Sequence, residues 1–314
     1  MRTRRARVRA LAKINLDLRV LGRRPDGYHE LRTIFQTISL ADAIDIAFTP
    51  GKETVIECED PLHIPDNLAS RAAHAAMEAM RATGRVALRL RKRIPMGAGL
   101  GGGSSDAAAV LLALPVLVGQ AVGLPKLCDI AAALGSDVAF FLLGGTAAGF
   151  GRGSELIPLP DAPSRRGVLV TPGLHVSTAE AYRRLSPRLT LESQQNKIFS
   201  FHSHTWDLGE AQAAANDFET VVFEQHRSLA ALKKRLLRAG ASPALMTGSG
   251  SALFGLFRTD GEVTRAMEEL KRPGVPGPYS VSLVSRARYR SMWWRALREH
   301  MDRRVWPPRS RYAR

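Results

Sequence analysis

The segment Pro95-Met96-Gly97-Ala98-Gly99-Leu100-Gly101-Gly102-Gly103-Ser104-Ser105-Asp106 constrains this chain more than any other. Five of the seven residues from Gly97 to Gly103 are glycine. Without Cβ atoms, such a loop can bring its backbone N–H groups close around an anion. A helix predicted over Ala107 to Leu114 follows at once, with Ser104, Ser105 and Asp106 as its N-cap cluster. Its free N–H groups and positive dipole end point at the same place. Ser104 and Ser105 add hydroxyls suited to phosphate oxygens or a magnesium ion. A flexible linker has no need of such capping before an apolar helix.

Other phosphate motifs share some of these glycines. Gly97, Gly99 and Gly102 satisfy G-x-G-x-x-G, but the acidic residue that should follow on a second strand is absent; Asp129 falls inside a predicted helix. Protein kinases use the same spacing, yet the chain has no H-R-D or D-F-G triplet. A Walker loop requires a Lys after its glycines, and none stands there.

A length of 314 residues suits two packed domains, and 45% hydrophobic with 24% charged residues is ordinary for a soluble protein. The apolar run from Ala107 to Gly119, broken by Pro115, is too short to cross a bilayer and reads as a buried helix. No signal-peptide pattern is apparent. Cys58 and Cys128 lack partners at metal spacing, so a zinc or disulfide framework is not expected and a reducing cytoplasm fits. The net charge of +16 suggests nucleic acid until its distribution is read. Residues 1–9 carry five Arg and no acid, and residues from Arg286 onward carry ten Arg against Glu299 and Asp302. The middle of the chain is therefore nearly balanced. Trp293, Trp294 and Trp306 suggest that the last helix packs on something.

Alternation predicts strands at Val8–Val20 and Val86–Leu90, Ile34–Phe48 reads as one or two strands, and Pro25-Asp26-Gly27 marks a turn. Helices are predicted at Asn67–Ala82 and Lys126–Leu134, and Gly144–Gly153 reads as a turn and strand. A Pro- and Arg-rich boundary at Pro158–Arg166 separates a second half. That half has predicted strands at Val168–Thr171, Ala244–Thr247, Ala252–Phe257 and Tyr279–Val284. Its predicted helices are Thr178–Arg184, Asp217–Gln225, Leu229–Ala239 and Glu262–Leu270. Helices mixed with strand pairs point to an α+β architecture with domains at 1–160 and 161–285 and a basic extension at 286–314.

The glycine loop resembles the phosphate-binding motif of the GHMP kinases, the superfamily of galactokinase, homoserine, mevalonate and phosphomevalonate kinases. The chain is most similar to the branch that phosphorylates a cytidylyl methylerythritol. Ala12-Lys13-Ile14-Asn15-Leu16, the block from Gly22 through Arg24-Pro25-Asp26-Gly27-Tyr28-His29-Glu30-Leu31, the segment Leu134 to Phe141, Asn216-Asp217-Phe218-Glu219 and Thr247-Gly248-Ser249-Gly250-Ser251-Ala252 carry the match, in order. Ser136 and Ala139 depart from the usual Ala and Pro.

The resemblance implies a two-domain GHMP kinase fold, its N-terminal half like domain 2 of ribosomal protein S5 and its C-terminal half ferredoxin-like. It implies ATP with Mg2+, and a small-molecule alcohol as partner. Asp137 would accept the alcohol proton, with Lys13 beside it. Pro95 through Ser105 would hold the phosphates, and Asn67, Leu68 and Lys92 would lie on the adenine side. Tyr28 and Tyr182 would sandwich the cytosine, His29 would bond its polar edge, Asn15 would meet the erythritol, and Gly248-Ser249-Gly250 would approach the substrate phosphates. Magnesium would rest on the phosphates, water, and Ser104 or Ser105. A homoserine or mevalonate-type kinase is the alternative, and Tyr28-His29 argues against a small acid with no base to stack. Neither a membrane nor a nucleic-acid partner is expected, the basic tail being the one exception open to nucleic acid.

Overall fold

β1 (Arg4–Arg23) and β2 (His29–Pro50) form a long antiparallel hairpin, closed by a turn in which the Gly27 N–H donates to the Arg24 carbonyl. The structure, a computed structural model, describes residues 2–189, 214–271 and 277–313. β1 extends beyond the predicted strand at both ends, and the region predicted as one or two strands is the single strand β2. It stays continuous because it serves two partners: β5 (Thr146–Gly151) pairs with its first half and β4 (Gly84–Arg91) with its second. β3 (Val55–Glu59) adds in parallel to β4, and β6 (Glu155–Pro158) pairs with β5. Register shifts between Leu11 and Lys13 and between Asn15 and Asp17 bracket two predicted site residues. Such bulges re-aim side chains and bend the strand locally.

One face of this sheet packs on α1 (Leu68–Ala79), α2 (Gly102–Val118), α3 (Leu124–Leu134) and α4 (Val138–Leu143). α2 is the centre of that core, buried from Ser105 to Leu117. Each fully buried Leu or Val there contributes roughly 1.5–3 kcal/mol. The predicted cap is corrected: α2 starts at Gly102, with Gly101 (φ +69°) as a left-handed N-cap and no side-chain cap bond. Ser104, Ser105 and Asp106 therefore lie in the first turns, because the glycines let the helix begin earlier than the Ser-Ser-Asp signal suggests. Pro115 is accommodated inside α2, which ends at Gly119 (φ +95°). α4, not recognised in the sequence, turns the chain straight after Asp137.

The chain leaves the first sheet after β6 and enters a second at β7 (Arg166–Val170). This four-stranded antiparallel sheet has the order β10-β7-β9-β8, with β8 at Ala244–Met246, β9 at Leu253–Phe257 and β10 at Tyr279–Ser282. α5 (Thr178–Leu185), α6 (Glu219–Gln225), α7 (Arg227–Arg238) and α8 (Asp260–Leu270) accompany it. The expected α+β fold in two halves is the observed one. A third apolar cluster joins the halves, packing Ala12, Ile14, Ile34 and Ile38 with Leu169, Leu245, Phe254 and Leu283. Ala98 and Leu100 of the glycine loop belong to that seam, so their side chains anchor the loop while its backbone stays available.

The chain then returns to the first half, where the Val284 N–H donates to the Thr37 carbonyl. α9 (Arg286–Ala296) buries Tyr289 and Trp293 against the core of α2 and α4. The Tyr289 hydroxyl donates to the Phe141 carbonyl at 2.5 Å, and Trp306 Nε1 to the Leu142 carbonyl at 3.0 Å. The basic extension is thus a packed part of the first half. Among the described residues no helix is long and apolar enough to cross a membrane.

Candidate active site

Lys13 and Asn15, two residues apart on β1, present their side chains together. Lys13 is buried, and its Nζ donates to Asn15 Oδ1 at 2.8 Å. The same Nζ stands 3.6 Å from Asp137 Oδ2, at the start of α4. Asp137 keeps 30% of its side chain exposed, against 4% for Lys13. It makes no capping bond to α4, so its oxygens face outward beside a fixed ammonium. That suits a carboxylate that must receive a proton from something entering from solvent.

The two glycine turns meet here. The Lys13 N–H donates to the Leu100 carbonyl (3.0 Å), and the Ala252 N–H to the Ala98 carbonyl (3.3 Å). Thr247 Oγ1 donates to Asn15 Oδ1 at 3.1 Å, and the Gly248 N–H reaches the same oxygen at 2.9 Å. Asn15 Nδ2 donates to Thr33 Oγ1 at 2.6 Å. Asn15 therefore clamps the lysine to the second loop, which sequence reasoning did not foresee. Gly99 (φ +76°) must be glycine, since a Cβ would sit 2.2 Å from the Thr247 carbonyl oxygen. At Gly101 it would sit 2.9 Å from the Phe141 ring. The second loop is held in turn by the Asn216 motif: Asn216 Nδ2 donates to the carbonyls of Met246 and Gly248, both at 2.8 Å, and the Met246 N–H donates to Glu219. Ser249 Oγ bonds Thr178 Oγ1 at 2.7 Å. Gly250 (φ +101°) closes that turn.

Other expected residues need correction. Ser105 is buried and its hydroxyl donates to the Leu11 carbonyl at 2.7 Å, so it braces α2 against β1 and is not a ligand. Ser104, half-buried at the loop edge, is the serine left for phosphate or metal. Lys92, expected on the adenine side, has its ammonium engaged within the protein: its Nζ lies 2.5 Å from both Asp42 and Asp106, with all three side chains 5% exposed or less. Burial pushes the Asp106 carboxyl well above the ordinary carboxylate range, against the pull of Lys92. Burial lowers the Lys92 pKa, but Asp106 and Asp42 together outweigh it and leave Lys92 raised. The loop-side position of Asp106 in the sequence was the available signal for this triad.

Asn67 caps α1, its Oδ1 accepting the Ala69 N–H at 2.9 Å, while its Nδ2 donates to Asp60. It lines a cleft of about 530 Å³ with Cys58, His63 and Ser70. Leu68 lies beside Gly103, within van der Waals distance of where a Cβ would be. Pro95 and Met96 form the shoulder of the loop, with Met96 60% exposed, and Gly97 and Gly103 are exposed. Among the described residues no group of three or more His, Cys, Asp or Glu could hold a metal ion.

Tyr28, His29 and Tyr182 are brought to the same side, in a different arrangement from the expected sandwich. His29 stacks on Tyr182 (centroids 4.6 Å, 22°), and Tyr182 meets Phe218 edge-on at 4.8 Å. Tyr28 is 51% exposed and carries the Arg152 guanidinium over its ring at 3.5 Å. Nothing in the sequence singled out Arg152. Ser186 Oγ donates to the Tyr182 carbonyl, so His29 Nε2, 2.6 Å from that hydroxyl, carries the proton and donates. Burial, then Arg23, holds the His29 pKa below its ordinary value. Burial, with Asp137 nearby, raises that of Tyr182.

Known proteins match this arrangement. The GHMP kinases N terminal domain matches residues 67–145 and the GHMP kinases C terminal domain residues 203–275. The 4-diphosphocytidyl-2-C-methyl-D-erythritol kinase of Solibacter usitatus is 66% identical over 99% of this chain and 98% of its own length. The enzyme of that name from Geobacter metallireducens is 40% identical over 84% of this chain and 93% of its own. A crystal structure of 4-(cytidine 5'-diphospho)-2C-methyl-D-erythritol kinase, 38% identical, superposes with a TM-score of 0.73 over 88% of this chain and 98% of that one. A homoserine kinase from Cytophaga hutchinsonii, at 17% identity and a TM-score of 0.59 over 84% of this chain and 88% of its own, shares the fold. With this likeness running through both halves, the chain belongs to the 4-diphosphocytidyl-2-C-methyl-D-erythritol kinase family of the GHMP kinases.

Proposed function

We propose that this enzyme transfers the γ-phosphate of ATP to the 2-hydroxyl of 4-diphosphocytidyl-2-C-methyl-D-erythritol, a step in non-mevalonate isoprenoid precursor synthesis. The observation that carries the reading is the half-exposed Asp137 carboxylate 3.6 Å from the buried Lys13 ammonium, beside a glycine loop whose backbone is bare. Asp137 takes the proton as the substrate oxygen attacks the γ-phosphorus; the bond to the β-phosphate oxygen breaks and ADP leaves. Lys13 stabilises charge on the attacking oxygen and the transferring phosphoryl group. N–H groups from Gly99 to Ser104 bind the phosphates, with the α2 dipole behind them. The adenosine end belongs in the cleft at Asn67.

Magnesium, when bound, neutralises the β- and γ-phosphates. The residues fit a metal held chiefly by phosphates and water, with Ser104 as the protein hydroxyl that remains unengaged by its neighbours. On the alcohol side, the neutral His29, fixed by Ser186 and stacked on Tyr182, offers the edge and the ring face that a cytosine needs. Tyr28 closes over the base once Arg152 yields its place. Stacking of this kind is worth about 1–3 kcal/mol per base.

A homoserine or mevalonate-type activity has no use for the His29–Tyr182 platform. The test is ADP release with the cytidylyl substrate, homoserine and mevalonate offered separately. Turnover with the cytidylyl substrate alone supports the reading. Comparable turnover with either small acid removes it.

A further inference from the structure

We propose that the C-terminal extension carries a second binding site, for single-stranded nucleic acid, separate from the kinase centre. A cleft of about 460 Å³ opens between α9 and the segment after it, lined by Trp294, Arg295, Arg298, Asp302, Arg303 and Arg304 among others. All four arginines are exposed, and among the described residues none has an ion pair or a side-chain hydrogen bond. Several exposed arginines elsewhere are paired. Arg85 pairs with Glu57 at 2.7 Å, Arg89 with Glu59 at 2.6 Å, Arg188 with Glu224 at 2.7 Å and Arg166 with Asp260 at 2.8 Å. These pairs neutralise part of the body's guanidinium charge locally, while among the described residues Arg81, Arg93, Arg227, Arg238, Arg258 and Arg265 are unpaired but scattered; around this cleft four unpaired guanidiniums are gathered in one place.

Four unpaired cations on a packed scaffold repel one another, and an anion relieves that repulsion. The extension holds them in place through buried Tyr289 and Trp293, and His300 Nε2 donates to the Arg5 carbonyl at 2.9 Å, joining the two basic ends of the chain. The cleft is the size of a nucleotide site, not of a bare phosphate. Trp294 supplies a ring wall, and its indole orientation is fixed because Nε1 donates to the Val305 carbonyl at 3.0 Å. An aromatic wall with several cations around it suits bases that stack and phosphates that follow one another along a strand. A duplex could use the charge but not the wall. A membrane surface would favour a protruding apolar residue over one set in a cleft. The extension lies beyond both GHMP matches, which end at residue 275, and none of the catalytic or phosphate-binding residues named above lies in it.

The test uses the whole enzyme and a fluorescently labelled single-stranded oligoribonucleotide of about ten residues, followed by anisotropy between about 50 and 200 mM salt. Binding is expected, with log affinity falling against log salt with a slope of about −3 for four phosphate contacts. Arg298→Glu combined with Arg303→Glu should weaken it at least tenfold, and Trp294→Leu several-fold with the salt slope unchanged. ADP release should be unaltered in each, which also reports correct folding; Arg298→Gln serves if the double variant does not fold. The proposal is overturned if the oligonucleotide does not bind at the lowest salt, if a duplex of equal charge binds as tightly, or if a saturating ATP analogue displaces the strand. Capture by anionic phospholipid vesicles without oligonucleotide binding overturns it as well.

Discussion

Lys92 and Lys13 each meet a carboxylate close to the glycine loop, but Lys92 lies 2.5 Å from both Asp42 and Asp106 with almost no exposure, whereas Lys13 stands 3.6 Å from an Asp137 that still reaches solvent. The first arrangement is closed. Asp42 also accepts the Ile94 N–H at 2.8 Å, so the start of the loop is tied through this triad to β2 and α2. The second is left open on one side, because Lys13 spends its close hydrogen bond on Asn15 and leaves the Asp137 oxygens free for a proton. The same residue types thus serve rigidity in one place and reaction in the other, and packing decides which.

The contrast is sharpest in the substitutions that break each pair. Asp137→Asn removes the proton acceptor while keeping the shape, and turnover should fall by about 10²–10⁴-fold with the thermal midpoint unchanged; single-turnover kinetics with a melting curve would check both. Lys92→Met leaves two buried carboxylates without a cation, and should cost about 3–5 kcal/mol in denaturant unfolding while the folded fraction keeps most of its turnover. If Lys92→Met instead lost turnover at full stability, the two lysines would not divide as described.

pH separates them further. Burial raises the folded Asp106 pKa from 3.8 to about 7, so its contribution to stability is full below 3.8 and is lost as pH rises through about 7. Unfolding free energy should therefore decline across that window, and Asp106→Asn should flatten the decline. His29 runs the other way: its folded pKa lies below the ordinary 6.5, so the neutral stack is intact above 6.5 and lost on acidification below it. KM for the cytidylyl substrate should rise several-fold as pH falls through that range, and His29→Gln should remove the dependence.

Much of this was legible in the sequence because local rules decide it. The glycine loop announces itself by composition, and the spacing of Lys13 and Asn15 places both on one strand face. The apolar run predicted a buried helix, and α2 is one. The misreadings arose where distant residues intervene. Ser104-Ser105-Asp106 looks like a cap, yet a left-handed Gly101 starts the helix first. Lys92 is expected on the adenine side, and nothing local shows that Asp42, fifty residues away, closes on its ammonium. The Asn216 motif carried no role until the fold brought Met246 and Gly248 within its reach. The packing of the basic extension was signalled by its tryptophans, while the gathering of four unpaired arginines around one cleft emerges only in the fold.

The most direct test is a crystal structure with a non-hydrolysable ATP analogue and the cytidylyl alcohol both bound. The expected result is β- and γ-phosphates on the N–H groups from Gly99 to Ser104, with Asp137 within about 3 Å of the acceptor hydroxyl. Phosphates bound away from that loop, or a hydroxyl out of reach of Asp137, would contradict it.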